Sequence, residues 1–132
     1  MCHLCDKTIE AIWKKIEIGQ SYKTPDLYKG ADFNIINKDS NSIKINKQNI
    51  VIAKTAFVEA IHYLRSNGHN MASPCLIKSS NARATAGPLC ISTRDKNVSK
   101  RRCINYILPI LQRNAIVGVN PTRPNTTWLL AL

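Results

Sequence analysis

The chain has 132 residues, 44% of them apolar, enough for one domain that buries roughly two-thirds of its unfolded surface; collagen-like and wholly disordered organisation are excluded. No apolar run approaches the roughly 20 residues of a membrane helix and no signal-peptide core precedes the first charges, so a soluble, unexported protein, cytoplasmic or nucleoid-associated, is expected. Nineteen Lys and Arg against eight Asp and Glu give a formal net charge of +11, which favours polyanionic partners over a membrane surface, since no basic amphipathic helix with an aromatic-rich face is visible.

In chain order, Ile9, Ile12, Trp13 and Ile16 recur at helical spacing and predict a first amphipathic helix over residues 6–18, stopped by Gly19. Gln20 to Gly30 reads as a loop. The alternating runs 32–36 and 42–46, joined by Lys38-Asp39-Ser40-Asn41, predict a β-hairpin. A short apolar run, Ile50 to Ile52, precedes Thr55, which is placed to cap a helix over residues 56–66 that ends at Asn67-Gly68. Between His69 and Asn97 periodicity fails and a long, basic, polar loop is expected, with short strands around residues 89–91 as the alternative. Ser99 then caps a helix opened by Lys100, Arg101 and Arg102, with Ile104, Ile107, Leu108 and Leu111 as its apolar stripe and Pro109 as a kink. The runs 116–119 and 127–130 flank a basic tip and predict a second hairpin. The fold class is therefore α+β: helix, hairpin and helix, packed with a C-terminal helix plus hairpin, in a single domain spanning residues 1–132.

Charge is unevenly placed. Residues 1–59 hold nine Lys and seven acids, a net +2, whereas residues 60–132 hold seven Arg and three Lys against Asp95 alone, a net +9. Every Arg lies in the second half, and Arg makes the planar, two-pronged contacts that phosphate and guanine accept. Three cations at a helix start oppose the helix dipole, so a bound polyanion explains them better than helix stability does. An ordinary solvated cluster paired with Asp95 or Glu59 is the competing explanation.

The helix followed by a hairpin with an arginine tip, over about residues 98–132, resembles the end of a winged-helix domain. That resemblance implies a helix in the DNA major groove carrying Lys100, Arg101, Arg102, Asn105 and Tyr106, and a wing carrying Arg123 and Asn125. Arg113 at the helix end and Lys78, Arg83 and Arg94 in the basic loop complete the expected nucleic-acid face. The expected partner is nucleic acid, duplex DNA first, because a helix and wing suit a major groove and because aromatics for stacking a single strand are sparse after Tyr63. A regulator or the recognition module of a restriction, repair or mobile-element system fits these features. The alternatives are a metal-dependent nuclease gathering Glu17, Asp26, Asp32 and Glu59, and a phage-type inhibitor that lays its basic face on an acidic protein.

No catalytic constellation emerges: carboxylates are few in the basic half, and Gly30, Gly87 and Gly118 are isolated rather than set in a phosphate-binding loop. Five cysteines, an odd number, suit free thiols in a reducing compartment. Cys2-His3-Leu4-Cys5 is half of a zinc site whose remaining ligands would come from His62, His69, Cys75, Cys90 or Cys103; lacking a second such pair, the chain is expected to hold no metal or other cofactor. His62, with no histidine one turn away, is expected to be a surface or boundary residue.

Overall fold

The computed structural model describes residues 2–130; residues 1, 131 and 132, which the single-domain expectation includes, lie outside the described residues. It is α+β. Helix α1 (His3–Trp13) is followed by a four-stranded antiparallel sheet of β1 (Ser21–Lys23), β2 (Asp32–Lys38), β3 (Ser42–Ile45) and β4 (Val51–Ala53) in sequential order. Helix α2 (Lys54–Ser66), strand β5 (Cys75–Leu76), helix α3 (Pro88–Asp95) and helix α4 (Ile104–Arg113) come next. Strands β6 (Val117–Asn120) and β7 (Thr126–Leu129) then form an antiparallel hairpin, with β5 added beside β7.

The apolar spacing of α1 buries Cys5, Ile9, Ile12 and Trp13, and Trp13 meets Phe57 of α2 edge-on at 5.2 Å. The helix stops earlier than its apolar pattern. The Lys38 ammonium donates to the carbonyls of Trp13 at 2.6 Å and Ile16 at 2.8 Å, placing a cation at the negative end of the helix, and Gly19 takes a left-handed φ of 96°. The β2–β3 turn is closed by Asp39, whose carboxylate accepts from the backbone N–H of Asn41 and Ser42, both at 2.8 Å. Thr55 does not cap α2. The helix begins one residue before it, and its hydroxyl donates instead to the Lys96 carbonyl at 2.8 Å, tying the start of α2 to the end of α3.

Residues 69–97 are not the one long loop their composition predicts. They contain β5, a 3-10 turn at Arg83–Thr85, and α3. Pro88 stands at the first turn of α3, where its missing N–H costs nothing, and Leu89, Cys90, Thr93 and Arg94 form its buried face. An eight-residue helix holding only two apolar residues on that face is too short for periodicity to reveal. The short strands considered around residues 89–91 are helix as well.

The last helix starts later than the sequence predicts. Lys100 sits at a left-handed φ of 57°, so Lys100, Arg101 and Arg102 run as a non-helical approach and α4 begins only at Ile104. Pro109 lies inside α4, and every residue from Ile104 to Leu111 is buried. The helix is packed by α2, α3, β1 and β6 and forms the centre of the core. The approach to a major groove implied by the winged-helix resemblance is therefore not available to α4.

Not all five cysteines are the free thiols that their odd number suggests. Cys75, Cys90 and Cys103 are free and buried, but Cys2 and Cys5 are joined in a disulfide. Their spacing in the first turn of a helix brings their Cα atoms to 5.1 Å, within disulfide reach. Burial pushes the Cys75 thiol up to about 11 and the Cys103 thiol up to about 12, so these two are inert packing groups. Among the described residues, no helix is long and apolar enough to cross a membrane.

Candidate nucleic-acid interface

Five parts of the chain meet at the N-terminal end of α4 and enclose a cleft of about 760 Å3. The loop after β1 supplies Asp26 and Lys29, the segment after β5 supplies Lys78 and Ser79, and the β6–β7 tip supplies Arg123 and Asn125. Arg102, Asn105 and Tyr106 line it from α4 and its approach, and Lys47 comes from the β3–β4 turn. Five cations therefore face one carboxylate. That volume lies within the range of small-molecule sites, and openings of one sign of charge concentrate ligands of the other.

The walls are tied together. The Leu27 N–H donates to the Pro121 carbonyl at 2.8 Å, and Arg123 Nε donates to Asp26 Oδ2 at 2.9 Å. Asp26 also accepts from the backbone N–H groups of Tyr28 at 2.9 Å and Lys29 at 3.3 Å. The Tyr28 amide first, and then the Arg123 guanidinium, hold the Asp26 carboxyl below the usual carboxylate range, although partial burial opposes them. Asp26 is thus a fixed acceptor that positions Arg123. Gly30 makes this loop possible, because a Cβ there would stand 2.5 Å from the Asp26 carbonyl oxygen and 2.9 Å from that of Thr24.

Polar atoms in the cleft are left without partners. Ser79 Oγ, Arg102 Nε and Asn105 Oδ1 are buried and make no hydrogen bond, and Asn105 as a whole is only 9% exposed. Each orphan costs about 1–3 kcal/mol, a cost that a polar ligand in the cleft would offset. Behind them stands a column of rings: Tyr106 meets Phe33 edge-on at 5.1 Å, Phe33 stacks on Tyr22 at 5.6 Å, and the Arg113 guanidinium lies 4.1 Å from the Tyr22 ring. Burial raises the Tyr22 hydroxyl above its ordinary range, and Arg113 works against that rise.

A smaller cavity of about 270 Å3 adjoins the cleft through Arg102 and Tyr106, and Gln48, Lys100 and Arg101 border it. Arg101 donates to the Gln48 carboxamide, and the Lys100 ammonium donates to the Asp95 carbonyl at 2.6 Å. Backbone strain is concentrated at these two cavities. Of the five non-glycine residues at positive φ among the described residues, Lys78 at 41° borders the cleft, and Gln48 at 53° and Lys100 at 57° border its neighbour. Such conformations cost of order 1–3 kcal/mol and gather at binding sites.

Of the ten residues expected on the binding face, Lys78, Arg102, Asn105, Arg123 and Asn125 line the cleft, and Lys100 and Arg101 border the adjoining cavity. The remaining three are held by protein partners. Arg94 borders the adjoining cavity too, but it is 6% exposed and donates to the carbonyls of Ser80 and Asn81, tethering the segment 80–81 to α3. Arg83 is paired with Asp95 through two bonds at 2.8 and 3.1 Å, which lowers the Asp95 carboxyl. Arg113 donates to the Ser21 carbonyl at 2.7 Å and covers Tyr22.

Lys29, Lys47 and Asp26 belong to the cleft but were not expected there, because they lie in the half of the sequence whose charge is nearly balanced. The acids Glu17, Asp26, Asp32 and Glu59 do not gather into a metal-holding group among the described residues; Glu59 instead accepts from the Ser92 hydroxyl. No protein-family model matches the chain, no curated protein matches it, and no solved structure matches it.

Proposed function

We propose that the chain binds nucleic acid, duplex DNA first, as a regulator or as the recognition module of a restriction, repair or mobile-element system. The observation that carries this reading is the convergence of Lys29, Lys47, Lys78, Arg102 and Arg123 on one cleft against a single carboxylate. Cations on five separate segments of irregular backbone suit a sugar-phosphate backbone better than a base edge, so the contact is phosphate-led and weakly selective for sequence. Asn105 and Asn125, inside the cleft, are the groups available to a base edge. Tyr28 is the one aromatic among the exposed large apolar residues described, which argues against a stacking platform for single strands.

The experiment is titration of a labelled random-sequence duplex across a salt series, with and without Mg2+. Binding should fall steeply with salt, and Lys78→Ala and Arg102→Ala should each flatten the log–log slope by about 0.9, the value for one phosphate contact. Arg83→Ala, whose charge Asp95 already neutralises, should leave the slope unchanged. Absence of binding at low salt, or equal losses in all three variants, refutes the reading. Cutting of the duplex only with Mg2+ would instead favour the nuclease alternative, and failure of excess DNA to displace a bound acidic protein would favour the inhibitor.

The concave shape and the orphaned Ser79, Arg102 and Asn105 atoms favour one further reading, a free nucleotide or other small phosphate ester held in the cleft. A mononucleotide that competes with duplex at comparable molar concentration would select it.

A further inference from the structure

A second cluster lies away from the cleft, where the N-terminus of α1 meets α2. Cys2 Sγ, Cys5 Sγ and a ring nitrogen of His62 all lie within 4.8 Å of one another. Cys5 is fully buried, Cys2 is nearly so, and His62 is half-buried. His69, Cys75, Cys90 and Cys103, the other ligands the sequence offered, are not part of this group. Tetrahedral zinc, with Zn–S near 2.3 Å and Zn–N near 2.0 Å, needs ligand atoms about 3.4–3.8 Å apart, a change within the reach of side-chain rotation once the two sulfurs are no longer bonded.

We infer that Cys2, Cys5 and His62 form a three-ligand site for a borderline-soft divalent cation, zinc first, and that the disulfide and the metal are alternative states of the same two sulfurs. Two thiolates and an imidazole are the ligand types this metal class selects. No fourth His, Cys, Asp or Glu joins the group among the described residues, so the fourth position is open to water or an outside ligand. The surroundings suit thiolates: the Cys5 backbone N–H donates to Cys2 Sγ at 3.1 Å, and Arg65 Nη1 approaches the same sulfur at 3.4 Å. The Ser66 hydroxyl lies 3.4 Å from the His62 ring and can orient it.

Interconversion balances with a small thiol as reductant. Two equivalents of that thiol are oxidised to their own disulfide, delivering two electrons and two protons that open the Cys2–Cys5 bond to two thiols. Metal binding then displaces those two protons into solvent.

The test uses cobalt(II) as the optical stand-in for zinc, added anaerobically to the full chain with excess reductant removed. Reduced protein should take up one equivalent and show the visible absorption of tetrahedral, thiolate-ligated cobalt, which zinc then bleaches. Oxidised protein should show none of it. His62→Gln, a half-buried position whose substitution spares the core, should weaken uptake at least tenfold and alter the band shape. No uptake by reduced protein, equal uptake by oxidised protein, or a His62→Gln titration identical to wild type would each overturn the site. Neither this cluster nor its readout involves the cleft, so the outcome is independent of nucleic-acid binding.

Discussion

At the residue scale, the tightest constraints are backbone ones. Gly118 pairs directly with Trp128 across the hairpin, and a Cβ at Gly118 would stand 2.4 Å from the Trp128 ring. The indole covers the bare glycine, so Gly118→Ala must expel the ring; the expected cost is about 1–3 kcal/mol in urea unfolding, together with a shift of Trp128 fluorescence toward the solvent-exposed value. Lys78 poses the opposite case. Its φ of 41° is strained for a lysine, and its position on the cleft explains why the strain is kept. Lys78→Gly should therefore stabilise the fold by about 1 kcal/mol in thermal or urea unfolding while weakening duplex binding as much as Lys78→Ala does. If Lys78→Gly is no more stable than Lys78→Ala, the strain is not real. Neither residue announces itself in the sequence, because conformation at a single position has no periodicity.

At the scale of elements, α4 decides how the basic segment is used. Eight consecutive buried residues make it the central helix of the core, and its first turn, through Asn105 and Tyr106, forms part of the cleft. Leu108→Ala should cost about 2–5 kcal/mol, measured by urea unfolding, as expected for a cavity in a packed core. Had α4 been a groove-reading helix with a solvated face, substitutions along it would divide into costly and neutral sets; here none from Ile104 to Leu111 is expected to be neutral. The apolar stripe at Ile104, Ile107, Leu108 and Leu111 was legible as helix from its spacing alone. Burial of the remaining face was not, since Asn105, Tyr106 and Pro109 become buried only because α2, α3, β1 and β6 surround them. The hairpins 32–38/42–45 and 117–120/126–129 were readable because alternation and turn residues are local signals. Strand β1, three residues long, and β5, two residues long, were not, because each is a strand only by virtue of its partner.

For the whole molecule, net charge and its placement govern behaviour with pH and salt. The carboxyls of Asp26, Asp39 and Asp95 are all held below the ordinary range, Asp26 chiefly by the Tyr28 amide, Asp39 by the Asn41 amide and Asp95 by Arg83. A carboxyl lowered on folding contributes stability that is complete above its unfolded pKa, about 3.9, and is lost as pH falls through its lower folded value. These three groups therefore predict thermal stability that does not change between about pH 5 and 8 and declines only below about pH 4. A decline already under way at pH 6 would show that some other titration dominates. The groups are solvated, so the acid-side loss they cause should be small and should shrink further in high salt.

What is local or summed along the chain could be read from the residues alone: the α+β class, the two hairpins, the helical stripes, and an arginine-rich second half carrying a net +9. Periodicity, turn chemistry and charge are additive along the chain and need no knowledge of neighbours. Which cations face the cleft follows from packing. Arg94 turns inward to the carbonyls of Ser80 and Asn81, Arg83 is held by Asp95, and Arg113 covers Tyr22, while Lys29 and Lys47 cross from the balanced half to join Lys78, Arg102 and Arg123. The same holds for Cys2, Cys5 and His62, whose meeting depends on how α1 packs against α2. Convergence of this kind links residues dozens of positions apart, and the distances that matter, a few ångströms between polar atoms, are set by packing rather than by spacing along the chain.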